Sequence, residues 1–80
     1  MISFGRVKMV TVDYHDARKR RRFALEPREQ MEARIEEGML ILDIPDPSDR
    51  LYHGRKVQWV LPLDGVREVV VDSFEDEVHL

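Results

Sequence analysis

An 80-residue chain with 42% hydrophobic residues and a net charge of -3 has room for one domain, residues 1–80. Its core must be small, because a chain of this size buries only about 60% of the surface its unfolded form exposes, so no deep substrate cleft is expected. The lack of cysteine excludes disulfides, thiolate zinc sites and a cysteine nucleophile.

The first element in chain order is "VKMVTVDY", Val7 to Tyr14, whose β-branched residues favour a strand. Val10, Val12 and Tyr14 fall on one face, Thr11 and Asp13 on the other. After a turn at His15–Arg18, "RRFAL" alternates again, with Phe23 and Leu25 facing one way. A hairpin that packs Val10, Val12 and Tyr14 near Phe23 and Leu25 accounts for both stretches.

The segment 27–37 reads in two ways. Pro27 in a first turn and Gly38 past the end would bracket a short helix. Met31, Ala33 and Ile35 alternate with Glu32, Arg34 and Glu36, which is a strand pattern leading through Glu36-Glu37-Gly38 into the next strand. The apolar stripe is thin for a helix, and the hairpin is favoured. "MLILDIP", residues 39–45, reads as a central strand covered on both faces. A loop rich in turn residues then runs from Pro45 to about Lys56.

"VQWVLPL" follows, with Val57, Trp59 and Leu61 on one face and Trp59 expected in the core. Asp64-Gly65 signals a turn into the last long strand, "VREVVVDSF". Its valines face both ways, so an edge position would need covering, by sheet closure or by a homodimer. The acidic tail, residues 75–80, is expected to fray. The sum is an all-β fold, or α+β if 27–37 is helical: a small antiparallel barrel or curved sheet of five to six strands.

Two resemblances follow from these stretches. The short turn "PLDGV" between the last two strands resembles that of SH3-like barrels, a likeness of architecture alone. The order "VTVDY", "IEEGMLIL" and "VLPLDGVREVVV" resembles small accessory proteins of actinobacterial phages. That resemblance implies a non-enzymatic protein acting in a host cytoplasm.

Charge is distributed unevenly. Residues 1–28 hold eight Lys/Arg against three Asp/Glu (net +5), and residues 29–80 hold five against thirteen (net -8). Such asymmetry implies a charged binding face, or two halves that neutralise each other. The loudest feature is the run Arg18, Lys19, Arg20, Arg21, Arg22. It suits phosphates, an acidic protein surface, or the solvated end of a hairpin that deters edge pairing. The loop carrying Arg50, Leu51, Tyr52, His53 and Arg55 is a second candidate, since Tyr and Arg are enriched in interface hot spots.

Catalytic signatures are lacking. His15, His53 and His79 have no metal-ligand spacing, no serine sits in a nucleophile elbow, and no phosphate-cradling glycine loop occurs. No cofactor and no metal are expected. No apolar run reaches the roughly 20 residues of a membrane span, and Met1 to Arg6 lacks a signal peptide's apolar run, so a soluble cytoplasmic protein with no membrane partner is expected. The leading expectation is a protein-interaction module for a partner of acidic or mixed charge. A nucleic-acid-binding regulator using Arg18–Arg22 and a structural homo-oligomer are the alternatives.

Overall fold

The long first strand organises the fold. In the computed structural model, which describes residues 1–24, 30–46, 48, 54–74 and 77–80, β1 spans Ile2–Tyr14. It is followed by β2 (Arg20–Ala24), β3 (Met31–Glu36), β4 (Met39–Pro45), β5 (Lys56–Pro62), β6 (Val66–Ser73) and β7 (Glu77–His79). All pairings are antiparallel. The order across the sheet is β5-β4-β3-β1-β6-β7, with β2 attached to β1. β1 serves three neighbours because it is long. Ile2 to Val7 pair with β3, Met9 to Asp13 with β2, and Val7 to Tyr14 with β6.

The fold is all-β, as the alternation indicates, with seven strands among the described residues. The sheet is open, because β5 and β7 at its two ends do not pair with each other. Residues 31–36 form a strand, so the helical reading fails there; 25–29 lie outside the described residues. The Glu37-Gly38 corner has φ of 51° and 74°, the left-handed pair that a tight two-residue hairpin requires. That geometry joins β3 to β4 directly.

Two irregularities in β1 put its apolar residues on one face. Strand side chains alternate strictly, so Ile2, Val7 and Val10 would not share a face in a regular strand. One extra residue between Ser3 and Arg6, relative to β3, includes Gly5 at φ 69°. A second extra residue lies between Val7 and Met9, relative to β6. Each bulge shifts the phase by one. Val7, Val10 and Val12 thus all become buried, and join Met31, Ala33, Leu40, Leu42, Leu61, Val69 and Val71 in one core cluster. The cross-strand register supports this: Val7 faces Met31, Val10 faces Val71, and Leu42 lies between Ala33 and Trp59.

Four expectations need correction. β6 is an interior strand held by β1 and β7, so its valines are not an edge seeking a partner. Residues 77–79 are a strand on β6, and Leu80 and Val69 exchange backbone hydrogen bonds of 2.8 and 3.1 Å, so that end of the tail is ordered by pairing. β4 is fully buried on one face only. Leu40 and Leu42 point into the core, while the other face carries Asp43, which accepts from Arg34 at 3.0 Å and Gln58 at 3.1 Å. Trp59 is 41% exposed. It faces inward as its alternation requires, but β5 ends the sheet, and an end strand has neighbours on one side only.

Candidate partner-binding surface

The five-cation run divides as soon as it becomes a strand. Asp16 shapes the turn that precedes it: its Oδ1 accepts from the Arg18 amide at 3.0 Å and its carbonyl from the Lys19 amide at 2.9 Å. The turn is also tied to the β5–β6 corner, where the His15 amide donates to the Gly65 carbonyl at 2.9 Å. In β2, Arg20 and Arg22 lie opposite Asp13 and Thr11 on the outer face, and Arg21 lies opposite Val12 on the inner one. The run is therefore two cationic rows on opposite faces.

Arg20 is committed to the fold. Its Nε donates to Asp13 Oδ1 at 2.6 Å and its Nη2 to Oδ2 at 3.4 Å. Asp13 is 9% exposed, and a nearly buried carboxylate needs such a partner. An irregularity between Asp13 and Tyr14 on the β1–β6 ladder leaves Arg67 as the extra residue of β6, and its Nη2 lies 3.9 Å from Asp13 Oδ2. The hydrogen bond from Arg20 holds the Asp13 carboxyl below the usual carboxylate range, aided by the charges of Arg20, Arg67 and Arg22 and opposed by desolvation. Arg18, Lys19, Arg21 and Arg22 are exposed and form no ion pair among the described residues.

Elsewhere Lys8 of the basic half reaches Asp72 of the acidic half at 3.8 Å, and within the acidic half Lys56 reaches Glu32 at 3.7 Å and Arg34 reaches Asp43 at 3.0 Å. Exposed pairs of this kind contribute little stability. Their effect is to offset charge on the outer face, whereas Arg18, Lys19, Arg21 and Arg22 at the hairpin end stay uncompensated among the described residues. At the opposite margin, His79 contacts Glu77 at 2.7 Å and Glu68 at 3.4 Å. Those hydrogen bonds, that of Glu77 first, raise the affinity of the imidazole for its proton.

A groove of about 400 Å³ lies beside this end. One wall is Arg22, Phe23 and Ala24 of β2. The other is Ile44 and Pro45 of β4, Val57 and Trp59 of β5, and Asp46 just beyond β4. Phe23 and Trp59 bridge the walls with ring centroids 5.6 Å apart and planes tilted by 59°, a favourable aromatic geometry. Asp46 is held in place by the Ser48 amide at 2.9 Å and hydroxyl at 2.7 Å. Those bonds, the amide's foremost, keep its carboxyl below the usual range, and its own amide donates to the Arg55 carbonyl at 2.9 Å.

The structure thus brings the base of the 46–56 loop next to the cationic strand. Arg50, Leu51, Tyr52 and His53 lie outside the described residues; Arg55 is described and exposed. Trp59 is the groove residue that sequence reasoning assigned to the core. The signal that marks it is Pro62 three residues on, because proline is confined to edge strands and an edge strand's inner face is half covered. Among the described residues no cluster of three or more His, Asp or Glu can hold a metal ion, and no helix is long and apolar enough to cross a membrane. Comparison with protein families, characterised proteins and solved structures finds no match for this chain.

Proposed function

We propose that the protein is a non-enzymatic binding module whose partner is a protein segment carrying both acidic and apolar side chains. The observation that carries this reading is the half-exposed Trp59 packed at a tilt against Phe23 in an apolar groove that Arg22 also lines, with Arg21 next to it on β2, neither arginine forming an ion pair among the described residues. An aromatic anchor in a concave apolar site supplies binding energy, and flanking cations supply steering and selection for an acidic partner. Groups of both kinds come from paired strands, so they are held ready before binding and little ordering cost remains. A phage accessory protein, which the sequence order resembles, would take such a partner from its host.

A single-stranded nucleic acid is the second reading, because an exposed Trp near arginines is also a base-stacking arrangement. The acidic remainder of the chain, net -8 over residues 29–80, argues against a long phosphate track. Trp59 is the only tryptophan, so its emission reports occupancy of the groove. Titration with a short peptide of alternating Glu and Leu should change that emission. Binding should weaken about tenfold or more in Phe23→Ala, as expected on loss of an aromatic hot spot, and should weaken with salt in wild type more than in Arg21→Ser/Arg22→Ser. Binding of a random single-stranded oligonucleotide tighter than about 1 μM at physiological salt, beyond usual nonspecific affinity, with no response to the peptide, would overturn the protein reading.

A further inference from the structure

The sheet has three free edges among the described residues: those of β2, β5 and β7. Natural sheets protect such edges with charge or brevity. The β2 edge carries Arg20, Arg21 and Arg22. The β7 edge is three residues long with Glu77 and His79. β5 is seven residues long, has no charge after Lys56, and is exposed at every position except Leu61. Its protective residues, Lys56 and Pro62, stand at its two ends, and the stretch Val57 to Leu61 between them carries none.

The direction of its backbone groups follows from two hydrogen bonds. Asp46 N–H donates to the Arg55 carbonyl and Leu63 N–H to the Gly38 carbonyl, and the register between them is unbroken. Alternation then turns the groups of Val57, Trp59 and Leu61 toward β4, and those of Lys56, Gln58, Val60 and Pro62 outward. Pro62, which has no N–H, thus falls where no bond to β4 is lost.

We infer that β5 is the contact edge of a two-fold homodimer, pairing antiparallel with β5 of a second copy. A two-fold axis at Trp59 sets Gln58 against Val60 and Val57 against Leu61 of the second copy. The outward groups of Gln58 and Val60, with the Lys56 amide and the Pro62 carbonyl, then gain about six main-chain bonds by the antiparallel pattern. The two Trp59 rings meet at the axis, in the position of closest cross-strand approach. The strand is self-complementary in charge as well. Its single cation, Lys56, lies at one end, so in this arrangement the two Lys56 Cα positions are about 20 Å apart by strand rise, beyond the roughly 8 Å screening length of physiological salt. The occupant is therefore a second copy: a neutral edge with alternating apolar side chains fits its own two-fold image without a charge clash. The main-chain bonds use groups that point away from β4, whereas the groove is lined by side chains, Val57 and Trp59 among them, so exchange of the Gln58 and Val60 amides reads the pairing apart from peptide binding.

Sedimentation equilibrium of the full chain tests this. The mass should rise from 9.5 kDa toward twice that value at concentrations on the order of 100 μM, the weak range expected of a small interface. The Gln58 and Val60 amides should become protected from hydrogen exchange as concentration rises. Val60→Lys places a charge at an already exposed position, and Gln58→Pro removes an outward donor together with the exposed side-chain bond to Asp43. Both should return the mass to 9.5 kDa with unchanged far-UV circular dichroism. A monomer at about 1 mM, far above the range of specific association, overturns the inference. So does a dimer that persists in both variants, or one in which those two amides exchange as freely as in the monomer.

Discussion

Replacing Trp59 by alanine tests how the open end of the sheet is built. The side chain is 41% exposed, so a little over half of it is covered, by Phe23 and by the strand beneath. A fully buried aromatic removes about 150–250 Å² from water; with Trp at the upper end, the covered part in excess of alanine is about 100 Å². At about 25 cal/mol per Å² this is worth about 2.5 kcal/mol, and a compact unfolded state trims it to about 2 kcal/mol. The groove is open to solvent, so no sealed void remains and the cavity penalty of enclosed sites does not apply. The expected cost is therefore below the roughly 3–5 kcal/mol of an enclosed aromatic. Urea denaturation at low micromolar concentration, where self-association adds nothing to apparent stability, gives the number. Phe23→Ala and the double variant complete a cycle, and the two rings should couple by about 0.5–1.5 kcal/mol. A loss above about 4 kcal/mol, which only an enclosed ring produces, refutes the half-covered geometry. Additive losses refute the ring contact.

Two further outcomes follow from local geometry. Glu37 is a non-glycine residue at φ 51°, so Glu37→Asn should stabilise by about 0.5–1 kcal/mol, because Asn tolerates the left-handed region that costs other residues about 1–2 kcal/mol; an unchanged urea midpoint would count against the strained turn. Asp13 has its folded pKa lowered below 3.8, chiefly by the Arg20 hydrogen bond, so its contribution is fully present above the unfolded value and disappears as pH falls through the folded value. The stability difference between wild type and Asp13→Asn should accordingly be largest near neutral pH and shrink below about pH 4; a difference that is flat with pH would show that the Asp13 charge contributes nothing.

Much of the fold was legible as period-two alternation. Val10 and Val12, and Val57, Trp59 and Leu61, were placed on shared strand faces by pattern alone, and the Glu37-Gly38 and Asp64-Gly65 corners by turn chemistry. The length of β1 was not legible, because its two bulges break the alternation that a reader follows. Val7 and Val10 sit an odd number of residues apart, and only the pairing with β3 and β6 shows that both are inside.

The binding surface was legible in its charge and not in its shape. The run Arg18–Arg22 is plain in the sequence, yet that Arg20 is the member of it with an ion pair among the described residues depended on Asp13 of β1, which also meets Arg67 of β6. Trp59 shows the division most clearly. Alternation fixes which face of β5 it occupies, since that is a property of one strand. Whether the face is covered depends on strand order, and strand order is set by pairings between residues far apart in the chain. The same reason set β6 between β1 and β7 and left β5 at an end of the sheet. A strand's own residues determine its two faces, whereas its place in the sheet is decided by long-range hydrogen bonding that all the other strands share.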